Sequence, residues 1–195
     1  MQHYFTTIQG WFCAHDLYTE MVHAAPNTPC NFIELGAWKG RSTSYLGVEI
    51  VNSGKPIQLI VVDHFKGSDE SKHNLDPDLP NLYNVFLANM RPLIQNGLQL
   101  SIIRDSTHNA ALTLPDSFFT FIDASHKYED VKKDIELYWP KTTYMLGGDD
   151  WNWSGVENAV KDSSFFRECG GVYVNNTVWF GSRNENRNCV KFLMD

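Results

Sequence analysis

Asn31-Phe-Ile-Glu34-Leu-Gly36-Ala-Trp-Lys-Gly40-Arg-Ser42 joins a short, nearly continuous apolar run (residues 31–35) to a stretch with helical spacing through two glycines. A run of that kind suits a strand covered on both faces. Glycines let the backbone turn sharply and approach a ligand, and the free amides at the start of the following helix attract a carboxylate or phosphate. The spacing excludes the G-x-G-x-x-G dinucleotide fingerprint, and it excludes the phosphate loop ending G-K-[ST], because Gly40 is followed by Arg41 and Ser42. Glu34, Gly36, Gly40 and Ser42 are the candidate ligand contacts here. An ordinary glycine-rich strand-helix turn looks the same locally, so the neighbouring segments decide.

Further apolar runs lie at 57–62 (IQLIVV), 98–103 (LQLSII), 118–122 (FFTFI) and 143–146 (TYML), with helically spaced stretches between them. The clearest helix is 128–139, where Tyr128, Val131, Ile135 and Tyr138 fall on one side. Alternating strands and helices predict an α/β fold in three layers, α/β/α, with a mostly parallel sheet and right-handed crossovers. Residues 171–174 and 177–181 flank Asn175-Asn176, a pair that tolerates positive φ, so an antiparallel hairpin is expected to finish the sheet. No repeat or flexible linker divides the chain, which predicts a single domain over 1–195. The polar segment 64–80, broken by Pro77 and Pro80, exceeds the roughly 12–15 residues usual for structureless loops. It follows a strand's carboxyl end and reads as a lid or acceptor-binding loop, with simple surface disorder as the alternative.

Composition narrows the function classes. The chain has 195 residues, 43% hydrophobic and 20% charged, with 16 basic against 23 acidic side chains and a net charge of −7. It can bury a core, and its acidity opposes nucleic acid as a partner, since phosphate-backbone affinity rests on Lys and Arg. No apolar stretch approaches the roughly 18–20 residues that span a bilayer, and the start lacks a signal-peptide pattern, so a cytoplasmic protein without a membrane partner is expected. Cys13, Cys30, Cys169 and Cys189 have no C-x-x-C spacing and read as reduced thiols.

Carboxylates gather at the predicted strand ends. Asp63 closes the second strand, 27 positions after Gly36, where an acidic residue can accept ribose hydroxyls or merely cap the strand. Arg104-Asp105-Ser106 follows the third strand, and Asp123 ends the fourth, with Ser125, His126 and Tyr128 behind it. Gly147-Gly148-Asp149-Asp150 ends the fifth. Neighbouring parallel strands end on the same side, so Asp123, Asp149 and Asp150 can converge in one crevice. Three clustered carboxylates call for a raised pKa or a hard divalent cation, Mg²⁺, Mn²⁺ or Ca²⁺. The alternative has Asp149 capping the next helix and Asp150 solvated.

The pattern E-x-G-x-x-x-G-x-S resembles motif I of class I S-adenosylmethionine-dependent methyltransferases, which implies a Rossmann-like fold whose turn holds the methionine end of the cofactor. By the same resemblance Asp105 and Ser106 lie beside the adenine, although Arg104 replaces the usual glycine. The run IDASHKYEDVKKDIELYWP followed by GGDDW resembles the metal-dependent O-methyltransferase group that includes macrolide-sugar O-methyltransferases and cephalosporin-hydroxylase-like proteins. Gly10-Trp11-Phe12 resembles that group's N-terminal helical segment, here residues 1–29, and the likeness extends over about residues 8–180. One departure is Pro140-Lys-Thr-Thr-Tyr144, shorter than the group's Pro-Gly-Gly turn.

The resemblance implies S-adenosylmethionine and Mg²⁺ or another divalent cation as cofactors. Asp123, Asp149 and Asp150 would be the metal ligands, and Asp123 and His126 the catalytic pair, His126 acting as base unless it is structural. The implied acceptor is a small-molecule hydroxyl, on a sugar or glycan-like compound, and the implied assembly a homo-oligomer. Trp151, Trp153 and Tyr128 are placed to stack on or hydrogen-bond an acceptor, or to pack. A catechol-type enzyme, a metal-dependent hydrolase or hydroxylase without S-adenosylmethionine, and a non-catalytic cofactor-binding module are the rival readings.

Overall fold

The protein is described from a computed structural model, which covers residues 1–68 and 71–183. Among the described residues, seven strands form one sheet: β1 Cys30–Leu35, β2 Ile57–Val62, β3 Gln99–Ile103, β4 Ser117–Ile122, β5 Thr142–Gly148, β6 Tyr173–Asn175 and β7 Val178–Ser182. Their order is β3-β2-β1-β4-β5-β7-β6, with β1 to β5 mutually parallel and β7 antiparallel to both β5 and β6. The chain reverses its direction of travel across the sheet between β1 and β4, the place where an α/β sheet opens a crevice at its carboxyl ends.

Two side-chain sets cover the two faces. Phe32, Leu59, Val61, Phe119, Phe121 and Met145 pack toward helices α1 His15–Ala24, α2 Arg41–Ser53 and α4 Leu82–Gln95. Ile33, Leu35, Ile60, Val62, Ile122 and Leu146 pack toward α6 Tyr128–Tyr138, α7 Ser154–Lys161 and α8 Ser164–Cys169. The alternation has period two, as strand geometry requires, and burial on both faces explains why the runs read as continuously apolar. The expected three-layer α/β/α arrangement, with its C-terminal antiparallel hairpin, is present.

Three local expectations are corrected. The fifth strand runs on through Gly147 and Gly148, because β4 pairs with them on one side and β7 on the other; a Cβ on Gly148 would lie 2.5 Å from Ile122 O. The hairpin turn falls one residue later than expected: Asn175 pairs with Val178, and Asn176, with φ 57°, opens the two-residue loop. Segment 64–80 is not structureless. It holds the short helix α3 Ser71–Asn74 and enters a 3₁₀ turn at Leu79–Asn81. Lys39 Nζ fastens it from below, 2.8 Å from Asp76 and 2.7 Å from Asp78. Burial alone would lower the Lys39 pKa, but its hydrogen bonds to these two carboxylates outweigh that and raise it.

The N-terminal segment carries a 3₁₀ turn, Phe5–Thr7, before α1. Cys13, Cys30 and Cys169 are free thiols, and Cys189 lies outside the described residues. Among the described residues, no helix is long and apolar enough to cross a membrane.

Candidate functional site

A cavity of about 490 Å³ opens at the carboxyl ends of β1, β2, β3, β4 and β5. Its floor is the turn after β1. Gly36 N donates to Val62 O at 2.9 Å and Asp123 N to Leu35 O at 2.8 Å, so the turn is clamped between the ends of β2 and β4. Asp63 finishes the clamp. Its Oδ2 accepts the amides of Ala37 and Trp38 at 2.9 and 3.0 Å, and its Oδ1 accepts Phe65 N at 2.6 Å.

The predicted cofactor contacts divide. Gly36, Ser42, Asp63, Asp105 and Ser106 line the cavity, whereas Glu34 and Gly40 do not. Glu34 shares the Phe32 face of β1 and is fully buried, accepting Tyr18 OH at 3.0 Å and Thr43 Oγ1 at 2.5 Å. Gly40 precedes α2 in a left-handed conformation and faces Met90 and Phe86. Asp105 Oδ1 accepts Ser106 N and Asn109 Nδ2, and Ser106 Oγ caps the short helix α5 Thr107–Ala110 by accepting Asn109 N. Arg104 fits in place of a glycine because its guanidinium lies over the Tyr83 ring, 4.0 Å from the centroid.

The acidic trio is brought together only in part. Asp123, His126 and Asp150 each offer a ligand atom within 4.8 Å of the others, and His126 Nε2 is 2.7 Å from Asp150 Oδ2. Asp149 stands outside this set, although it lines the cavity. Its Oδ1 accepts Thr177 Oγ1 at 2.5 Å and Asp150 N at 2.7 Å, and the Cys13 thiol lies 3.4 Å from its Oδ2. With Asp149 so occupied, the chain turns through Asp150 at φ 62° and swings that carboxylate toward His126. Burial pushes the Cys13 thiol up to about 11, the Thr177 hydrogen bond opposing it and the Asp149 charge adding to it, so this thiol stays protonated near neutral pH. The two carboxylates at this spacing suit a divalent cation of the Mg²⁺ or Mn²⁺ type, with the His126 imidazole beside them.

Of the aromatic candidates, Trp153 lines the cavity and tilts over His126 with 4.6 Å between centroids. Trp151 and Tyr128 do not line it; Tyr128 OH donates to Asp162 instead. Several lining residues were not singled out from the sequence, among them Arg41, His73, His108 and Asp134. The signal for Asp134 was present, an acidic residue inside the apolar stripe of Val131, Ile135 and Tyr138. Segment 64–80 contributes His64, Gly67, Ser68 and His73 to the wall, and His73 stacks on Trp38 at 4.1 Å.

Two buried acids near the cavity make stability depend on pH. Burial raises Glu34 from 4.5 to about 7 despite hydrogen bonds from Thr43, Ser42 and Tyr18, and Asp63 adds to the rise. Burial likewise raises Asp134 from 3.8 to about 7, opposed by a hydrogen bond from Thr107. Between about pH 4 and pH 7 the folded chain keeps protons that the unfolded chain has already released, so stability falls as pH rises across that window. The upper bound is about 3–4 kcal/mol for each group. Asp134→Asn should therefore exceed the wild type in urea-denaturation midpoint at pH 8 and lose most of that advantage at pH 5.

The sequence profile described as a methyltransferase domain matches residues 33–144, more than half of the chain. A search of curated proteins finds no match. Among solved structures, the chain is similar to CalS11, described as a TDP-rhamnose 3'-O-methyltransferase of calicheamicin biosynthesis. The TM-score is 0.61 at 13% identity, over 87% of this chain and 77% of that one. It is similar to the O-methyltransferase NovP, with a TM-score of 0.63 at 15% identity over 87% and 78%. A putative caffeoyl-CoA O-methyltransferase from Staphylococcus aureus gives 0.60 at 12% identity over 92% and 87%. These are likenesses of fold, and they share it with a chain whose profile match runs from β1 into β5 and takes in the glycine turn and the β4 end. On that match the chain belongs to the methyltransferase-domain family, and it is a methyltransferase.

Proposed function

We propose that the protein transfers a methyl group from S-adenosylmethionine to a hydroxyl of a small molecule, with a divalent cation at Asp123 and Asp150. The observation that carries this reading is the convergence of Asp123, His126 and Asp150 in the same cavity as the clamped glycine turn. The fold neighbours described as O-methyltransferases support it, and the TDP-rhamnose enzyme among them favours a sugar acceptor.

The residues divide the work. The turn at Gly36, held by Asp63, shapes the floor on which the cofactor's amino-acid and ribose portions would rest, and Asp105 and Ser106 border its adenine end. The cofactor supplies an electrophilic methyl on a sulfonium, and a cation at the two carboxylates would lower the pKa of an acceptor hydroxyl and fix its direction. His126 receives the proton. With Nε2–H donating to Asp150, the neutral ring keeps its lone pair on Nδ1, and a proton taken there leaves an imidazolium paired with the Asp150 carboxylate. Trp153, packed over the ring, limits its rotation.

The direct test is transfer of labelled methyl from S-adenosylmethionine to a panel of hydroxylated acceptors, with Mg²⁺ and with chelator. Label should appear on an oxygen and fall when the cation is removed; label on nitrogen, or none on any acceptor, would count against the assignment. Asp63→Ala should weaken S-adenosylhomocysteine by about 1–3 kcal/mol, the worth of hydrogen bonds to a charged group, because the amides of Ala37 and Trp38 lose their anchor. Unchanged affinity in calorimetry would contradict the placement of the cofactor on this turn.

A further inference from the structure

One buried group on the cavity wall is used by neither the glycine turn nor the carboxylate set. Asp134, on the buried side of α6, is 1% exposed, and its Oδ1 has no hydrogen-bond partner. It lines the cavity all the same, together with Ser106, Thr107 and His108. From α5, Thr107 gives its carboxyl a hydrogen bond, and His108 Nε2 stands off from Oδ1 at 3.5 Å, beyond normal hydrogen-bond length. From its own helix, Asp130, Lys133 and Tyr138 face it electrostatically. Tyr138 OH is committed to Thr107 O at 2.8 Å. The neighbours therefore leave Oδ1 open.

A buried carboxyl oxygen without a donor is destabilising, and an apolar side chain in the stripe of Val131, Ile135 and Tyr138 would pack at lower cost. A ligand that brings an N–H to Oδ1 offsets the penalty. The place in the cavity says which ligand. On the methyltransferase reading above, on which this inference rests, the residues after β3 border the adenine, and Asp134 is hydrogen-bonded to that same stretch through Thr107. Adenine carries an exocyclic amine, a donor, beside ring N1, an acceptor. A neutral carboxyl offers the complement: its carbonyl oxygen accepts from the amine and its O–H donates to N1. An ionised carboxylate would also accept from the amine, but its second oxygen would face the N1 lone pair. A flat base over the group also removes nearby water, which disfavours the charge further. Burial already pushes Asp134 up to about 7, so the neutral form is at hand near neutral pH.

We propose that Asp134 is a specificity residue for the cofactor's base, pairing as a neutral acid with the amine and N1 of the adenine. Calorimetry on the full chain tests this with S-adenosylhomocysteine and with its analogue carrying purine in place of adenine, which lacks the 6-amino group. At pH 6 the wild type should bind the analogue at least about tenfold more weakly. Asp134→Ala should bind the two compounds within about twofold of each other. Asp134→Asn, whose amide offers the same acceptor and donor, should keep the preference. Because only the neutral acid pairs in full, wild-type affinity for S-adenosylhomocysteine should fall about tenfold from pH 6 to pH 8 and stay level in Asp134→Asn. Glu34 titrates over the same range, so the level Asn profile is what assigns the change to Asp134. Equal wild-type affinity for the two compounds, a preference that survives in Asp134→Ala, or the same pH profile in the wild type and Asp134→Asn would overturn this inference alone. Failure of S-adenosylhomocysteine to bind the wild type at either pH would overturn the cofactor reading, and this inference with it.

Discussion

Gly36→Ala should abolish S-adenosylhomocysteine binding and lower stability by about 2–5 kcal/mol, a large part of the roughly 5–15 kcal/mol that holds a domain folded. Two costs add. Gly36 has φ 85°, where an L side chain is strained by roughly 1–2 kcal/mol. Its new methyl would also lie 2.0 Å from Asp123 O and 2.6 Å from Asp123 C, so the obstruction is backbone and no side-chain rotation relieves it. Overpacking of this kind costs about 1–3 kcal/mol, and the route of relief is to part the turn after β1 from the end of β4. That separation moves Asp123 away from the turn and so reaches both ends of the site. Gly54→Ala is the control, with φ 66° and nothing within 4 Å of the added methyl. It should cost about 1 kcal/mol and leave cofactor affinity intact. Equal denaturation midpoints and equal affinities for the two variants would contradict the clamped-turn account.

His126→Ala should slow methyl transfer by roughly 10²–10⁴, the usual worth of a general base, while divalent-cation affinity stays within about threefold of the wild type. Asp150→Ala should behave differently, reducing cation affinity and turnover together, because it removes a carboxylate from the set with Asp123 and leaves His126 without its 2.7 Å partner. Titration with Mn²⁺, followed by its paramagnetic resonance signal, separates the two effects. Loss of Mn²⁺ affinity in His126→Ala would make the ring a ligand and not the base. Asp149→Ala is expected to resemble neither: its carboxylate braces Thr177 and the Asp150 amide, so stability falls first and cation affinity follows only through the displaced Asp150.

Most of the architecture could be read from the chain because β1 to β5 are covered on both faces, and their apolar runs stand out against the helices between them. The position of Glu34 was readable by the same logic. With period two along β1 it shares a face with Phe32 and so points under α2, toward Tyr18 and Thr43, while the motif alone suggested a cofactor contact. Asp149 and Asp150 could not be separated locally. Adjacent in sequence, they diverge because Thr177, 28 residues later on the hairpin, captures one carboxylate, and the left-handed turn at Asp150 redirects the other. The anchoring of segment 64–80 was equally hidden, since Lys39 lies inside the glycine motif and its partners Asp76 and Asp78 lie far along the chain within a polar run, on either side of Pro77.

The central claim is that the clamped turn and the carboxylate set serve one reaction on one cofactor. Calorimetric titration of the wild-type chain with S-adenosylhomocysteine, at saturating Mg²⁺ and in chelator, tests it most directly. One site per chain is expected in both conditions, because the turn and Asp63 need no cation to form, with the heat lost in Gly36→Ala and retained in His126→Ala. No binding in either condition, or binding that survives Gly36→Ala unchanged, would contradict it.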